Sequence, residues 1–121
     1  MNIGIDIDGV IANNPAVYKN LMEEWVLSGF NIYIITGSKR GDMPKKRRLE
    51  QLEFLGITPR HYTELIIANG SSDRMVGDKK GIIAKKKKLH IFIDDDIRNC
   101  MCVRQKVPKC VVLREQSYLK T

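Results

Sequence analysis

Cysteine is scarce in this chain: Cys100, Cys102 and Cys110 are the only three among 121 residues. An odd number without framework spacing argues against a disulfide-stapled secreted scaffold. Cys100-Met101-Cys102 offers two thiolates, whereas a structural zinc site needs about four ligands. The two histidines, His61 and His90, lie elsewhere in the sequence. The cysteines are therefore expected to be small buried hydrophobes near the last strand. Long apolar runs are also missing, and nothing approaches the roughly 20 residues that a membrane-spanning helix needs. Asp6 and Asp8 stand where a secretory signal would carry its apolar core, so a cytoplasmic protein is expected. There is no internal repeat, no linker composition and no low-complexity stretch beyond one lysine run.

What the chain does have is positive charge. Lys and Arg number 21 against 14 Asp and Glu, a net charge of +7, which favours anionic partners such as phosphate esters, nucleotides or nucleic acid. Much of it sits in Lys45-Lys46-Arg47-Arg48 and Lys85-Lys86-Lys87-Lys88. Each run is expected on a helix, where its residues point in several directions, so a solvated helix face is the favoured reading of both. The length suits one domain, and a hydrophobic fraction of 43% suits a globular one.

Strand and helix signals alternate along the chain, which predicts an α/β sandwich around a mostly parallel, five-stranded sheet. The first strand is expected over 2–7, with Ile3, Ile5 and Ile7 on one face. Asn14-Pro15 predicts a helix start, Gly29 its end, and Val17, Leu21 and Trp25 its buried stripe. A second strand over 31–35 should stop at Thr36-Gly37-Ser38. Pro44 should open a second helix carrying Leu49, Leu52 and Leu55 and ending near Gly56. A third strand over 64–68 runs into Asn69-Gly70-Ser71-Ser72, and Asp78 is the expected cap of a third helix with Ile82 and Ile83. A fourth strand over 89–93 ends in Asp94-Asp95-Asp96, a short helix follows, and 109–113 makes the fifth strand.

Ligands of open α/β sheets bind at the carboxyl ends of the strands, near a switch in strand order. Asp6 and Asp8 fall at the end of the first strand, Thr36 and Gly37 at the end of the second, and Asp94 and Asp95 at the end of the fourth. Asp6 and Asp8, two apart on an extended chain, project to the same side. Their mutual repulsion calls for a proton or a cation. A hard ion such as Mg²⁺, which takes a few oxygen ligands beside water and phosphate, suits them, with Asp94 and Asp95 supplying further ligands. Gly9 permits a sharp turn that aims the Asp8 carbonyl at the metal and leaves its side chain free. Asp6 is then a candidate nucleophile towards phosphorus, and Asp8 a candidate general acid and base. The Thr36 hydroxyl, the Gly37 N–H and an ammonium from Lys79 or Lys80 are candidates for holding the phosphoryl group. Each cluster alone also fits a turn or a helix cap; their order at matching strand ends favours the chemical reading.

Asp6-Ile7-Asp8-Gly9-Val10-Ile11, Thr36-Gly37-Ser38, Lys79 or Lys80, and Ile93-Asp94-Asp95 together resemble the four motifs of the haloacid dehalogenase superfamily of phosphatases. The resemblance spans residues 3 to 99. It implies a three-layer Rossmann-like fold, bound Mg²⁺, phosphoryl transfer through Asp6, acid/base work by Asp8, and Asp94 with Asp95 on the metal side. Of the two lysines, Lys79 is preferred, because it leaves Ile82 and Ile83 on the buried side. Neither cap-insertion point of the family has room for a domain, which implies a capless member. Such relatives act on large substrates or use a neighbouring subunit as cover. A nucleotide, a nucleic-acid end or a small phosphorylated metabolite is the expected substrate, with Lys39 and Arg40 placed to touch it. The first and fourth motifs also resemble small 5′-nucleotidases, which usually carry a small cap. A non-catalytic nucleic-acid-binding module on the same fold is the alternative; a phosphomutase is disfavoured by the missing cap.

Overall fold

The computed structural model describes residues 1–39 and 44–116. Five strands alternate with four main helices: β1 (Asn2–Ile5), α1 (Pro15–Leu27), β2 (Asn31–Lys39), α2 (Lys45–Phe54), β3 (Glu64–Gly70), α3 (Asp73–Lys86), β4 (Ile91–Asp94), α4 (Ile97–Lys106) and β5 (Val111–Arg114). All strand pairs are parallel, in the order β3-β2-β1-β4-β5. Every parallel step needs a crossover, and the helices supply it. The order reverses at β1, so the crevice between β1 and β4 is the switch point where such sheets bind ligands.

Two apolar layers sandwich the sheet. On one face, Ile5, Ile32, Ile34 and Leu65 pack with Tyr18 and Met22 of α1 and Leu52 of α2. On the other, Ile35, Ala68 and Phe92 pack with Val76 and Ala84 of α3 and Val103 of α4. Strands covered on both faces become continuous apolar runs, as Ile32 to Ile35 illustrates. Among the described residues, no helix is long and apolar enough to cross a membrane.

Several element limits differ from the sequence expectations, each for a local reason. β1 ends at Ile5 because Asp6 turns its carboxylate onto the Ile7 N–H at 2.7 Å. The chain then coils through a kinked helical turn over Ile7–Ile11, made possible by Gly9 at φ +77°. β2 continues through Thr36-Gly37-Ser38 to Lys39, because that segment pairs residue for residue with β3 as far as Gly70. α3 starts five residues before Asp78: Ser72 caps it by accepting from the Met75 N–H at 3.3 Å. In α1 the inward face is Tyr18, Met22 and half-buried Trp25, while Val17 and Leu21 are 55% and 38% exposed. One residue is 100° of helix, so two apolar stripes overlapped in sequence and the larger side chains won the core. Cys100 and Cys110 are buried and Cys102 half-buried, all three as free thiols.

Candidate functional site

The carboxyl ends of β1, β2 and β4 open on a pocket of about 400 Å³ lined by Asp6, Asp8, Thr36, Gly37, Lys80 and Asp95, among others. Asp6 keeps one rung of the ladder, donating its N–H to the Ile93 carbonyl at 3.1 Å. Its carboxylate is thereby fixed at the switch point beside Asp94, the last residue of β4.

Lys80 stands between them. Its Nζ is 3.1 Å from Asp6 Oδ2 and 2.7 Å from Asp94 Oδ2. All three side chains are buried, Lys80 at 1% exposure. Lys79, the preferred candidate in sequence, is exposed. The reason is the phase of α3, whose buried face is Val76, Gly77, Lys80, Gly81 and Ala84 rather than the side of Ile82, which is 55% exposed. Gly77 lets α4 come close enough for Asn99 to reach the site: a Cβ at Gly77 would lie 3.1 Å from Asn99 Oδ1. Asn99 donates to both Asp94 oxygens at 3.2 and 3.4 Å. The Asp96 N–H donates to Asp94 Oδ1 at 2.9 Å, while the Asp96 carboxylate caps α4 through the Arg98 and Asn99 N–H groups.

Asp6, Asp94 and Asp95 each offer an oxygen within 4.8 Å of the others. Three carboxylates facing one ammonium leave a formal deficit of two positive charges. An all-oxygen donor set with that deficit fits a hard divalent cation such as Mg²⁺ and disfavours zinc. Gly9 forms the wall of this cradle, because a Cβ there would run into the Asp95 carboxylate. Burial pushes the Asp6 carboxyl up to about 6, against the pull of Lys80 and with the push of Asp94. Burial and Asp94 likewise raise Asp95. For Lys80, burial disfavours the ammonium, but Asp6 and Asp94 outweigh it and hold its proton more tightly than usual. The cluster is thus three carboxylates, two of them harder to ionise than usual, around one fixed cation.

The side chain of Asp8 lies apart from that cluster and was expected to be free. It instead receives two hydrogen bonds from α2: Arg48 Nη1 to Oδ2 at 2.9 Å and Gln51 Nε2 to Oδ1 at 3.0 Å. Partial burial would raise Asp8, but these bonds outweigh it and hold the carboxyl below its usual range. The Asp8 carboxylate is not among the three grouped oxygen donors.

Thr36 is fully buried, and its hydroxyl has no hydrogen-bond partner among the described residues. A buried hydroxyl without a partner is costly, and on the pocket wall it could donate to a bound ligand. Gly37 lines the same wall. Lys39 is at the rim, 3.1 Å from Asp73, which also meets Arg98 at 3.2 Å. Arg40 lies outside the described residues.

Sequence reasoning missed Arg48, Gln51, Asn99 and the link through Asp96. Arg48 was hidden in a basic run read as solvated: Lys45, Lys46 and Arg47 are indeed exposed, but Arg48 is 5% exposed and turned into the site. Its signal was weak, being a single position in a row of four similar residues. In the other basic run Lys87 is half-buried, 2.9 Å from Glu64 and 5.3 Å from the Tyr33 ring centroid. No protein-family model and no curated protein matches the chain.

Proposed function

We propose that the protein is a Mg²⁺-dependent phosphatase of the haloacid dehalogenase type, hydrolysing a phosphate monoester through an aspartyl-phosphate on Asp6. The observation that carries this reading is the buried Asp6–Lys80–Asp94 cluster, with Asp95 beside it and the unpartnered Thr36 hydroxyl on the same pocket wall. A purely structural ion pair needs neither a surplus of carboxylates nor an open pocket.

In this reading Asp6, Asp94 and Asp95 would hold Mg²⁺, whose positive charge would offset the repulsion between these carboxylates and an anionic ester. Thr36 and Gly37 donate hydrogen bonds to the phosphoryl group. Lys80 keeps the Asp6 carboxylate in place and offsets the negative charge that gathers around it. An Asp6 oxygen forms a bond to phosphorus as the bond from phosphorus to the leaving oxygen breaks. That leaving oxygen takes a proton from Asp8, which acquires it when the incoming phosphoryl group adds negative charge nearby. Water then attacks the phosphorus, Asp8 takes a proton from it, and the products are an alcohol and inorganic phosphate.

The connection from β3 to α3 is only Ser71-Ser72, and Asp6 to Asn14 separates β1 from α1. These short connections support a capless enzyme, open to a nucleotide, a nucleic-acid end or a small phosphorylated metabolite. The test is turnover of a chromogenic phosphate monoester with Mg²⁺, with EDTA, and by Asp6→Asn. Metal-dependent turnover by the wild type alone supports the reading; undiminished activity in Asp6→Asn refutes it.

A further inference from the structure

The Asp8 side chain is 61% exposed, yet both of its oxygens are taken by α2. The residue that takes the first is buried. Arg48 Nη1 donates at 2.9 Å to Asp8 Oδ2 and at 2.9 Å to Gln51 Oε1, and Nη2 donates at 2.8 Å to the Gly37 carbonyl. Gln51, one turn further along the helix, closes the loop with its amide on Asp8 Oδ1 at 3.0 Å. The guanidinium is therefore bonded at once to the segment after β1, to the strand that carries Thr36, and to its own helix. Its Nε has no acceptor among the described residues, and the Nη bonds set its plane.

Stability alone is a poor reason for this arrangement. Burying a guanidinium is expensive, and an ion pair to a mostly exposed carboxylate returns little. What the arrangement does accomplish is geometric. An exposed aspartate samples several rotamers; a two-point grip from a planar fork and an amide leaves one. The Gly37 carbonyl ties that rotamer to the wall on which the phosphoryl group would sit.

We propose that Arg48, seconded by Gln51, is the positioning residue for Asp8, holding its carboxyl at the distance from the phosphate wall at which it meets the leaving oxygen. This rests on the phosphatase reading and adds to it an element, α2, that none of the four motifs contains. Arg48 touches no reacting atom in this account; it acts through Asp8. Its loss should therefore mimic the loss of Asp8 in kind. A proton donor matters most when the leaving oxygen is strongly basic and little when it departs readily as an anion. Misplacing the donor should cost most on alkyl phosphates and least on activated aryl phosphates.

The experiment compares kcat/KM, which reports phosphoryl transfer to Asp6, for glycerol phosphate and for p-nitrophenyl phosphate with Mg²⁺. The enzymes are the wild type, Asp8→Asn, Arg48→Ala, Arg48→Lys and Gln51→Ala. Asp8→Asn sets the scale, with a loss on the alkyl ester of about 10²–10⁴-fold that exceeds its loss on the aryl ester. Arg48→Ala should lose at least about tenfold more on the alkyl than on the aryl ester. Arg48→Lys should regain part of that difference, and Gln51→Ala should show a smaller loss in the same direction. An equal loss on both esters in Arg48→Ala, while Asp8→Asn keeps its differential, overturns the positioning role and leaves the phosphatase standing. If Arg48→Ala fails to fold, Gln51→Ala decides in the same way: a differential loss supports the role and an equal one overturns it. Absence of metal-dependent turnover of either ester by the wild type overturns both proposals together.

Discussion

Replacing Lys80 by methionine removes one charge and keeps most of the volume. Lys80 is 1% exposed and is the cation 3.1 Å from Asp6 and 2.7 Å from Asp94. Without it, two buried carboxylates face each other, supported among the described residues by Asn99 and backbone N–H groups. Removing one partner of a buried ion pair costs about 3–5 kcal/mol, because the other charge is left uncompensated. Domains of this kind have about 5–15 kcal/mol in all. With a urea dependence of about 2 kcal/mol per molar, Lys80→Met should lower the unfolding midpoint by about 2 M at pH 7. Lys79→Met is the control; its exposed side chain predicts a change within about 0.5 kcal/mol. The deficit should shrink at pH 5, where the stranded carboxylates take up protons more readily. Urea unfolding followed by circular dichroism on the three proteins, at both pH values, reads all of this. A Lys80→Met midpoint within error of Lys79→Met would refute the claim that Lys80 is the cation on which this cluster depends.

Three further outcomes follow from the same geometry. Burial raises the folded-state pKa of Asp6 from 3.8 to about 6, so its contribution to stability is fully present below pH 3.8 and lost as pH rises through 6. At 1.36 kcal/mol per unit that is a decline of about 3 kcal/mol, which Asp6→Asn should flatten in urea titrations between pH 4 and 7; an unchanged slope would contradict it. Mg²⁺ at a hundred times its dissociation constant should add about 2.7 kcal/mol of stability in a thermal melt, and Asp95→Asn should diminish that gain; an equal gain in the variant would place the ion elsewhere. Asp96→Ala should cost about 1 kcal/mol by removing the α4 cap, measurable as a lower urea midpoint, and no loss would argue against the cap.

The strand ends were legible in the sequence because apolar runs stop abruptly at acidic or Thr-Gly segments, and a parallel sheet brings such ends together. Asp6, Thr36 and Asp94 could be placed at one edge on that ground alone. What could not be read was rotation about a helix axis within runs of similar residues. Lys79 and Lys80 differ by 100° of helix, and the packing of Val76 and Ala84 on the sheet and of Gly77 and Gly81 against α4 decides which turns inward. Arg48 among four basic residues, and Tyr18 beside Val17, pose the same ambiguity. The start of α3 was misplaced because Asp78 and Ser72 are both good caps, and it is Ser72, two residues past the end of β3, that accepts from the Met75 N–H. The grip on Asp8 joins residues 40 positions apart, and no local pattern signals it.

In the proposed reaction, Asp6 carries the phosphoryl group. Rapid acid quench of the protein turning over a phosphate monoester with Mg²⁺, followed by peptide mass spectrometry, tests it directly. The expected result is one added phosphoryl group on the peptide containing Asp6, absent with EDTA and absent in Asp6→Asn. Turnover that leaves Asp6 unmodified, or a phosphoryl group that persists elsewhere in Asp6→Asn, would contradict it.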